Sequence, residues 1–346
     1  MSKKNTFLFY PLALILSNCK RSFEGLGKII NCSGDTIKRY LQPANVSLSI
    51  CHKIAQYLFK GRKSLILSID DTLLRKMYSS KMRGSGWFFD TKLNKVIMSY
   101  RLMLGGLTNG KYLIPIGFGF MFSKELLTEN DIAKSKLEFI KEFYYQAKIL
   151  FPQAVIKIAA DGLFASVEIL QWGIDNCIAI VVRMHSNRIV IYKGQKYKIS
   201  EIASLKPHGR QRSRTIIVYW HGLKLYLTAE LRIDKHDQES IVYLAATYKT
   251  RPSQYVKDYK WRWPIEKLFR TSKQNLGIAE CFSINLEIQE KHVAASLLAY
   301  SIAQLERKLQ KLDTPEQAIR AIKQQGLNEA IARLSRLSEI FGGFIY

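Results

Sequence analysis

Apolar and polar positions follow one cadence at the start of this chain and another further on. Residues 20–60 carry helical spacing in "SFEGLGKIINCSGDTIKRYLQ" and "SLSICHKIAQYLFKG". Leu26, Ile29 and Ile30 lead into a Cys-Ser-Gly-Asp turn, and a second helix, Thr36 to Leu41, carries Lys38 and Arg39. That is a helix-turn-helix cadence, in which the second helix presents its cations to phosphates and base edges. The preceding "MSKKNTFLFYPLALILSNCK" has lysines before an apolar run. The run is short, Pro11 interrupts it and no small-x-small cleavage site follows, so it reads as a buried helix and not as a secretory signal.

The cadence then changes to strands. "KSLILSIDDTLL" (63–74) is a β-branched apolar run ending in two aspartates, and residues 95–122 read as two strands joined around Asn109-Gly110. Asn130 or Asp131 is expected to cap a helix running to about Leu150. A strand (154–161), a helix (164–175) and a strand (177–184) follow. Residues 186–240 are strand-like again, around the basic loop "KPHGRQRSR", and "IVYLAAT" (241–247) reads as a buried strand. Residues 285–312 form a long amphipathic helix and the tail two short ones. The pattern predicts an α/β protein, a mixed sheet flanked by helices, with a small helical region in front.

Charge sharpens this picture. Lys and Arg number 53 against 28 Asp and Glu, for a formal net charge of +25. Such an excess repels itself unless a polyanion relieves it, and nucleic acid is the default partner. Five cysteines (Cys19, Cys32, Cys51, Cys177, Cys281) are widely spaced, without a C-x-x-C pair, which excludes a zinc signature and a disulfide framework and suits a reducing cytosol. No segment approaches the 18 or so apolar residues of a membrane span.

Against this background the carboxylates stand out. Asp70-Asp71 end the first strand, and Asp161 follows the end of the strand after the first long helix. Ligand sites gather beyond the carboxyl ends of parallel strands. Glu266 sits among cations in "YKWRWPIEKLFRTSK", in the first turn of a helix that Pro264 is suited to open. Three convergent carboxylates would make an oxygen-only cage for Mg²⁺ or Mn²⁺. Each also has an ordinary structural role: turn former at a strand end, or partner of Arg270 four residues on.

Tyr259, Arg262, Glu266 and Lys273 spell Y-x2-R-x3-E-x6-K. With "SIDDT" and "IAADGLFAS", this stretch resembles the bacterial insertion-sequence DDE transposases that carry the Tyr-Arg-Glu-Lys signature. The resemblance spans residues 63–305. It implies an RNase H-like catalytic domain with a β-rich insertion between the second aspartate and the glutamate, here 105 positions apart. The implied domains are 1–60 (DNA-binding helices), 61–184 (first catalytic part), 185–240 (insertion), 241–312 (second catalytic part with the glutamate helix) and 313–346 (helical tail).

It further implies a triad of Asp71, Asp161 and Glu266 holding two Mg²⁺ or Mn²⁺ ions, with Asp70 the alternative first aspartate, since strand alternation lets only one of the doublet enter the site. Tyr259, Arg262, Arg270 and Lys273 would hold phosphates beside the scissile bond. Lys38 and Arg39 of the N-terminal helices and Arg210, Arg212 and Arg214 of the basic loop would track the backbone. Trp220 reads as a core or sheet-face residue, with stacking on an extruded base as the functional alternative; Trp261 and Trp263 read as packing residues. The expected activity is hydrolysis of the 3′ strand at transposon ends followed by strand transfer. Double-stranded DNA is the partner (terminal inverted repeats and target), in a homodimeric synapse without a membrane, in the bacterial cytoplasm at the nucleoid. A nuclease or resolvase without strand transfer, and a decayed DNA-binding repressor, are the alternatives.

Overall fold

The computed structural model describes residues 6–18, 21–42, 48–76, 79, 82–122, 133–208, 211–233 and 237–340. Cys19, Arg210 and the expected caps Asn130 and Asp131 lie outside them. In chain order the elements begin with helices α1 (Thr6–Leu16), α2 (Phe23–Ile29), α3 (Gly34–Leu41) and α4 (Ser49–Leu58). Strands β1 (Ser64–Arg75), β2 (Gly86–Asp90), β3 (Lys95–Thr108) and β4 (Leu113–Met121) follow, then α5 (Lys136–Leu150), β5 (Val155–Ala160), α6 (Val167–Asp175) and β6 (Ile180–Met184). Next come β7 (Ile189–Tyr192), β8 (Gln195–Lys198), β9 (Ser213–Trp220), β10 (Leu223–Ile233) and β11 (Glu239–Ala246). Helices α7 (Pro252–Lys260), α8 (Pro264–Asn275), α9 (Leu286–Leu309) and α10 (Pro315–Ile340) complete the chain.

The centre of the sheet is an antiparallel meander joined to a parallel pair. β3 lies antiparallel to β1 and β4, while β5 runs parallel to β1 and β6 parallel to β5. The β3–β4 turn uses Asn109, whose side-chain oxygen accepts from the backbone of Lys111 and Tyr112, and Gly110 at φ 87°. Ser135 opens α5 with a capping box, its hydroxyl accepting from Glu138 N while the Glu138 carboxylate accepts from Ser135 N. Among the described residues the strands form one eleven-stranded sheet, in which β11 joins β6 and carries β10, β9, β7 and β8 outward. The strand-like segment 186–240 therefore extends the same sheet.

The two faces of β1 are both apolar. Leu65, Leu67 and Ile69 enter the large core with α4, α5 and α9, whereas Ile66 packs with Ala159, Val181 and Tyr255 under α7. Phe143 of α5 rests on Gly105 of β3, where an added Cβ would come within 2.6 Å of its ring. Helix α9, expected to be amphipathic, is instead buried on most of its circumference because the sheet, α4, α8 and the N-terminal helices all surround it. Helix α1 runs through Pro11 and is buried as expected. Tyr10, Leu14, Leu26 and Ile37 form a cluster with Ile288 of α9, and Tyr10 Oη bonds His292 Nδ1 at 2.7 Å. The final stretch breaks into two helices at Gly326, φ 76°. Among the described residues no helix is long and apolar enough to cross a membrane.

Candidate active site

Register decides which aspartate faces which. β1 and β5 pair Ser68 with Ala159 and Ile69 with Ala160. The next step sets Asp70 beside Asp161, at the carboxyl ends of two neighbouring parallel strands. Asp161 then caps the turn after β5, its Oδ1 accepting from Leu163 N at 2.8 Å. Asp70 shares the α7 side of β1 with Ile66 and Ser68. Asp71 points to the other side, where its Oδ2 accepts from Arg101 Nε at 2.6 Å. The doublet is thus split between faces, as strand geometry requires. Asp70 is therefore the strand neighbour of Asp161, while Asp71 lines a cavity together with Glu266.

Burial pushes the Asp70 carboxyl up to about 7; Arg262 opposes that rise, and the nearby charges of Asp161 and Asp71 add to it. The guanidinium of Arg262 joins Asp70 to the third carboxylate. Its Nη1 donates to Asp70 Oδ2 at 2.8 Å and its Nη2 to Glu266 Oε1. Glu266 occupies the first turn of α8, where the helix dipole favours an anion, and it pairs four residues back with Arg262.

The buried Arg262 therefore directs both terminal nitrogens to carboxylates. Tyr259 is also buried, with the Arg262 guanidinium over its ring at 5.5 Å. Lys273 donates to Thr72 Oγ1 at 2.7 Å and to the Leu73 carbonyl at 2.9 Å, so α8 is pinned to β1 directly beyond the aspartates. On the opposite side, Asp258 of α7 accepts from Lys157 Nζ at 2.7 Å, Tyr248 Oη at 2.7 Å and Gln254 Nε2 at 2.6 Å. That network fixes α7, and with it Tyr259 and Arg262, to β5.

Two cavities flank Glu266. One, about 950 Å³, reaches from α8 to the β2–β3 hairpin; the other, about 810 Å³, runs along β10 and α7. Both are walled by Trp263 and Glu266. Trp263, read from sequence as a packing residue, is 55% exposed between them, whereas Trp261 packs on Gly110 as expected of it. Arg270 is exposed in the first cavity and Arg212 in the second. Arg214 is half-buried against His208, 3.2 Å away. Trp220 is buried beneath Arg188, whose guanidinium lies 4.8 Å from the ring. Lys38 and Arg39 are exposed on α3, remote in sequence from this centre.

The donor chemistry suits a hard divalent cation: three carboxylates, with the charge of Asp161 adding to the rise of the Asp70 carboxyl. The arrangement is closed by Arg262, however, and among the described residues no three acidic, histidine or cysteine side chains are grouped closely enough to hold a metal ion.

No curated protein matches the chain. Residues 145–302, a stretch that includes Asp161, Tyr259, Arg262, Glu266 and Lys273, match the family model described as the transposase DDE domain, which supports a DDE transposase.

Proposed function

We propose that this chain is an insertion-sequence transposase of the Tyr-Arg-Glu-Lys subgroup, acting through Asp70, Asp161 and Glu266. The observation that carries the reading is the placement of Asp70 and Asp161 side by side at the ends of β1 and β5, with Glu266 tied to Asp70 through Arg262. Water attacks the phosphorus at the transposon end and the 3′ oxygen leaves, generating a 3′-hydroxyl. That hydroxyl then attacks a target phosphodiester, exchanging one P–O bond for another without ATP. Divalent cations held by the carboxylates supply Lewis-acid polarisation of the phosphodiester and a more acidic water. The chain contributes the orientation of the acids, with Lys273 pinning α8 to β1, and a phosphate contact from the exposed Arg270. Terminal repeats and target are double-stranded DNA, held by a homodimer that pairs the two ends, with α2 and α3 on the flanking duplex.

The test is cleavage of a terminal-repeat duplex in Mg²⁺ or Mn²⁺ by the wild type and by Glu266→Gln and Asp161→Asn. Both variants lose cleavage while still binding the duplex. Undiminished cutting by either overturns the assignment. Joined products, scored in the same reaction, separate transfer from cutting alone.

A further inference from the structure

Glu266 occupies the first turn of α8, and the last turn is held by residues from the start of the chain. Arg21, directly before the Ser22 cap of α2, donates from Nη2 to the Asn275 carbonyl at 2.6 Å and from Nη1 to both oxygens of Glu280 at 3.1 Å. Its side chain is 8% exposed. The turn that follows α8 is shaped around it. Gly277 stands at φ 62°, and an added Cβ would come within 2.3 Å of Arg21 Cδ. The Gly277 carbonyl faces His292 Nε2 at 2.7 Å. A carbonyl only accepts, so Nε2 carries the proton. Burial brings that imidazole down to about 4, which leaves Nδ1 to accept from Tyr10 Oη of α1.

Helix α10 grips the same region from another side. Lys323 donates to the Ser17 carbonyl at 3.0 Å and to Asn18 Oδ1 at 2.9 Å, while Glu316 accepts from Thr271 Oγ1 of α8. An ordinary helix end is satisfied by a glycine turn, by water or by a side chain of its own last turn. Here the donor comes from 254 positions away. Helices α2 and α3 move as one piece with it, because a Cβ on Gly27 would come within 2.4 Å of the Cys32 carbonyl oxygen and one on Gly34 within 2.9 Å of Glu24 N. Lys273 ties α8 to β1 two residues before Asn275 and serves as a fulcrum. From Asn275 to Glu266 the helix is about 14 Å long, so a small shift at Arg21 is enlarged at the carboxylate.

We propose that Arg21 is a positioning residue: it ties the helix-turn-helix unit to the last turn of α8, so that DNA seated on α2 and α3 sets the place of Glu266 beside Asp70 and Asp161. The proposal rests on the transposase reading and adds the regulation of its site, with the acids aligned when the flanking duplex is held.

The experiment measures hydrogen exchange across residues 264–276 of the full chain in EDTA, with and without a saturating terminal-repeat duplex. In the wild type the duplex slows exchange there. In Arg21→Ala the segment exchanges faster and no longer responds to the duplex. Single-turnover cleavage in Mg²⁺ at saturating duplex falls about a hundredfold, the scale for a misplacement of about 1 Å. The duplex concentration for half-saturation rises by no more than about fivefold, the reciprocal share of the coupling. Arg21→Lys, which keeps the charge and lacks the fork, recovers part of both responses. Glu280→Gln leaves Arg21 its bond to Asn275 and shows the same pattern in weaker form, so a failure of Arg21→Ala to fold does not end the test. Exchange in Arg21→Ala that follows the wild type, or a loss of cleavage that is wholly a loss of duplex binding, overturns the proposal. Metal is absent from the exchange arm. A wild type whose α8 responds to the duplex but which cuts nothing in Mg²⁺ or Mn²⁺ sinks the transposase reading and leaves the coupling standing.

Discussion

Arg262 and Asp70, 192 positions apart, form a buried ion pair of 2.8 Å, and the same guanidinium holds Glu266. The cation of the signature thus stands where two acids would otherwise repel. Removing one partner of such a pair leaves buried charge uncompensated. Arg262→Gln is expected to lower stability by about 3 kcal/mol in urea titrations without metal. Saturating Mn²⁺, at about 100 times its dissociation constant, returns about 2.7 kcal/mol to the variant and clearly less to the wild type, where the ion competes with the guanidinium. Equal stabilisation of both proteins by Mn²⁺ would show that Arg262 does not guard the carboxylates.

The two aspartates of β1 are separable by mutation. Asp70→Asn should cost on the order of 10³–10⁴ in cleavage rate, the scale for removing one member of a concerted acid set. Asp71→Asn should retain activity within about tenfold and lose about 1 kcal/mol of stability, since Arg101 keeps a hydrogen-bonding partner and is partly solvated. The reverse ranking in single-turnover assays would place Asp71 in the site.

Stability should depend on pH through Asp70. The folded carboxyl keeps its proton up to about 7, against an ordinary value of 3.8. Between about 4 and about 7 the native state then binds more protons than the unfolded one, so this contribution is full below that window and fades as pH rises through it, by at most about 1.4 kcal/mol per pH unit. Asp70→Asn flattens the fall. Asp161→Asn shifts it to lower pH by removing a neighbouring anion. Chemical denaturation across that window measures both.

Asp258 is the support behind the signature. It is nearly fully buried and accepts from Lys157, Tyr248 and Gln254. Asp258→Ala should destabilise by about 3–5 kcal/mol and loosen α7, lowering cleavage without touching the acids. Hydrogen exchange in residues 252–260 reports the loosening. A variant with wild-type protection there would remove Asp258 from the positioning of Arg262.

Much of this was legible in the chain. The strand-helix-strand order, the Asn109-Gly110 turn and the start of α8 at Pro264 follow from local chemistry and appear where the pattern puts them. The face that each of Asp70 and Asp71 takes did not, because β1 is buried on both sides and its apolar run carries no alternation to read. Strand β2 escaped notice as a five-residue edge strand with aromatics turned outward. The pairing of Arg262 with Asp70 and Glu266 was out of reach too, because spacing shows where a cation sits and not whether a carboxylate from β1 has reached it.

The route of the chain between Asp161 and Glu266 has a consequence for synthesis. β7 to β11 must be threaded out from β6 and back to it before α8 can be laid across β1. Such distant pairings form late. As the polypeptide leaves the ribosome, both aspartates are translated long before their glutamate. A product of interrupted translation ending anywhere ahead of α8 lacks Glu266 and, on the proposed reading, could not cut DNA.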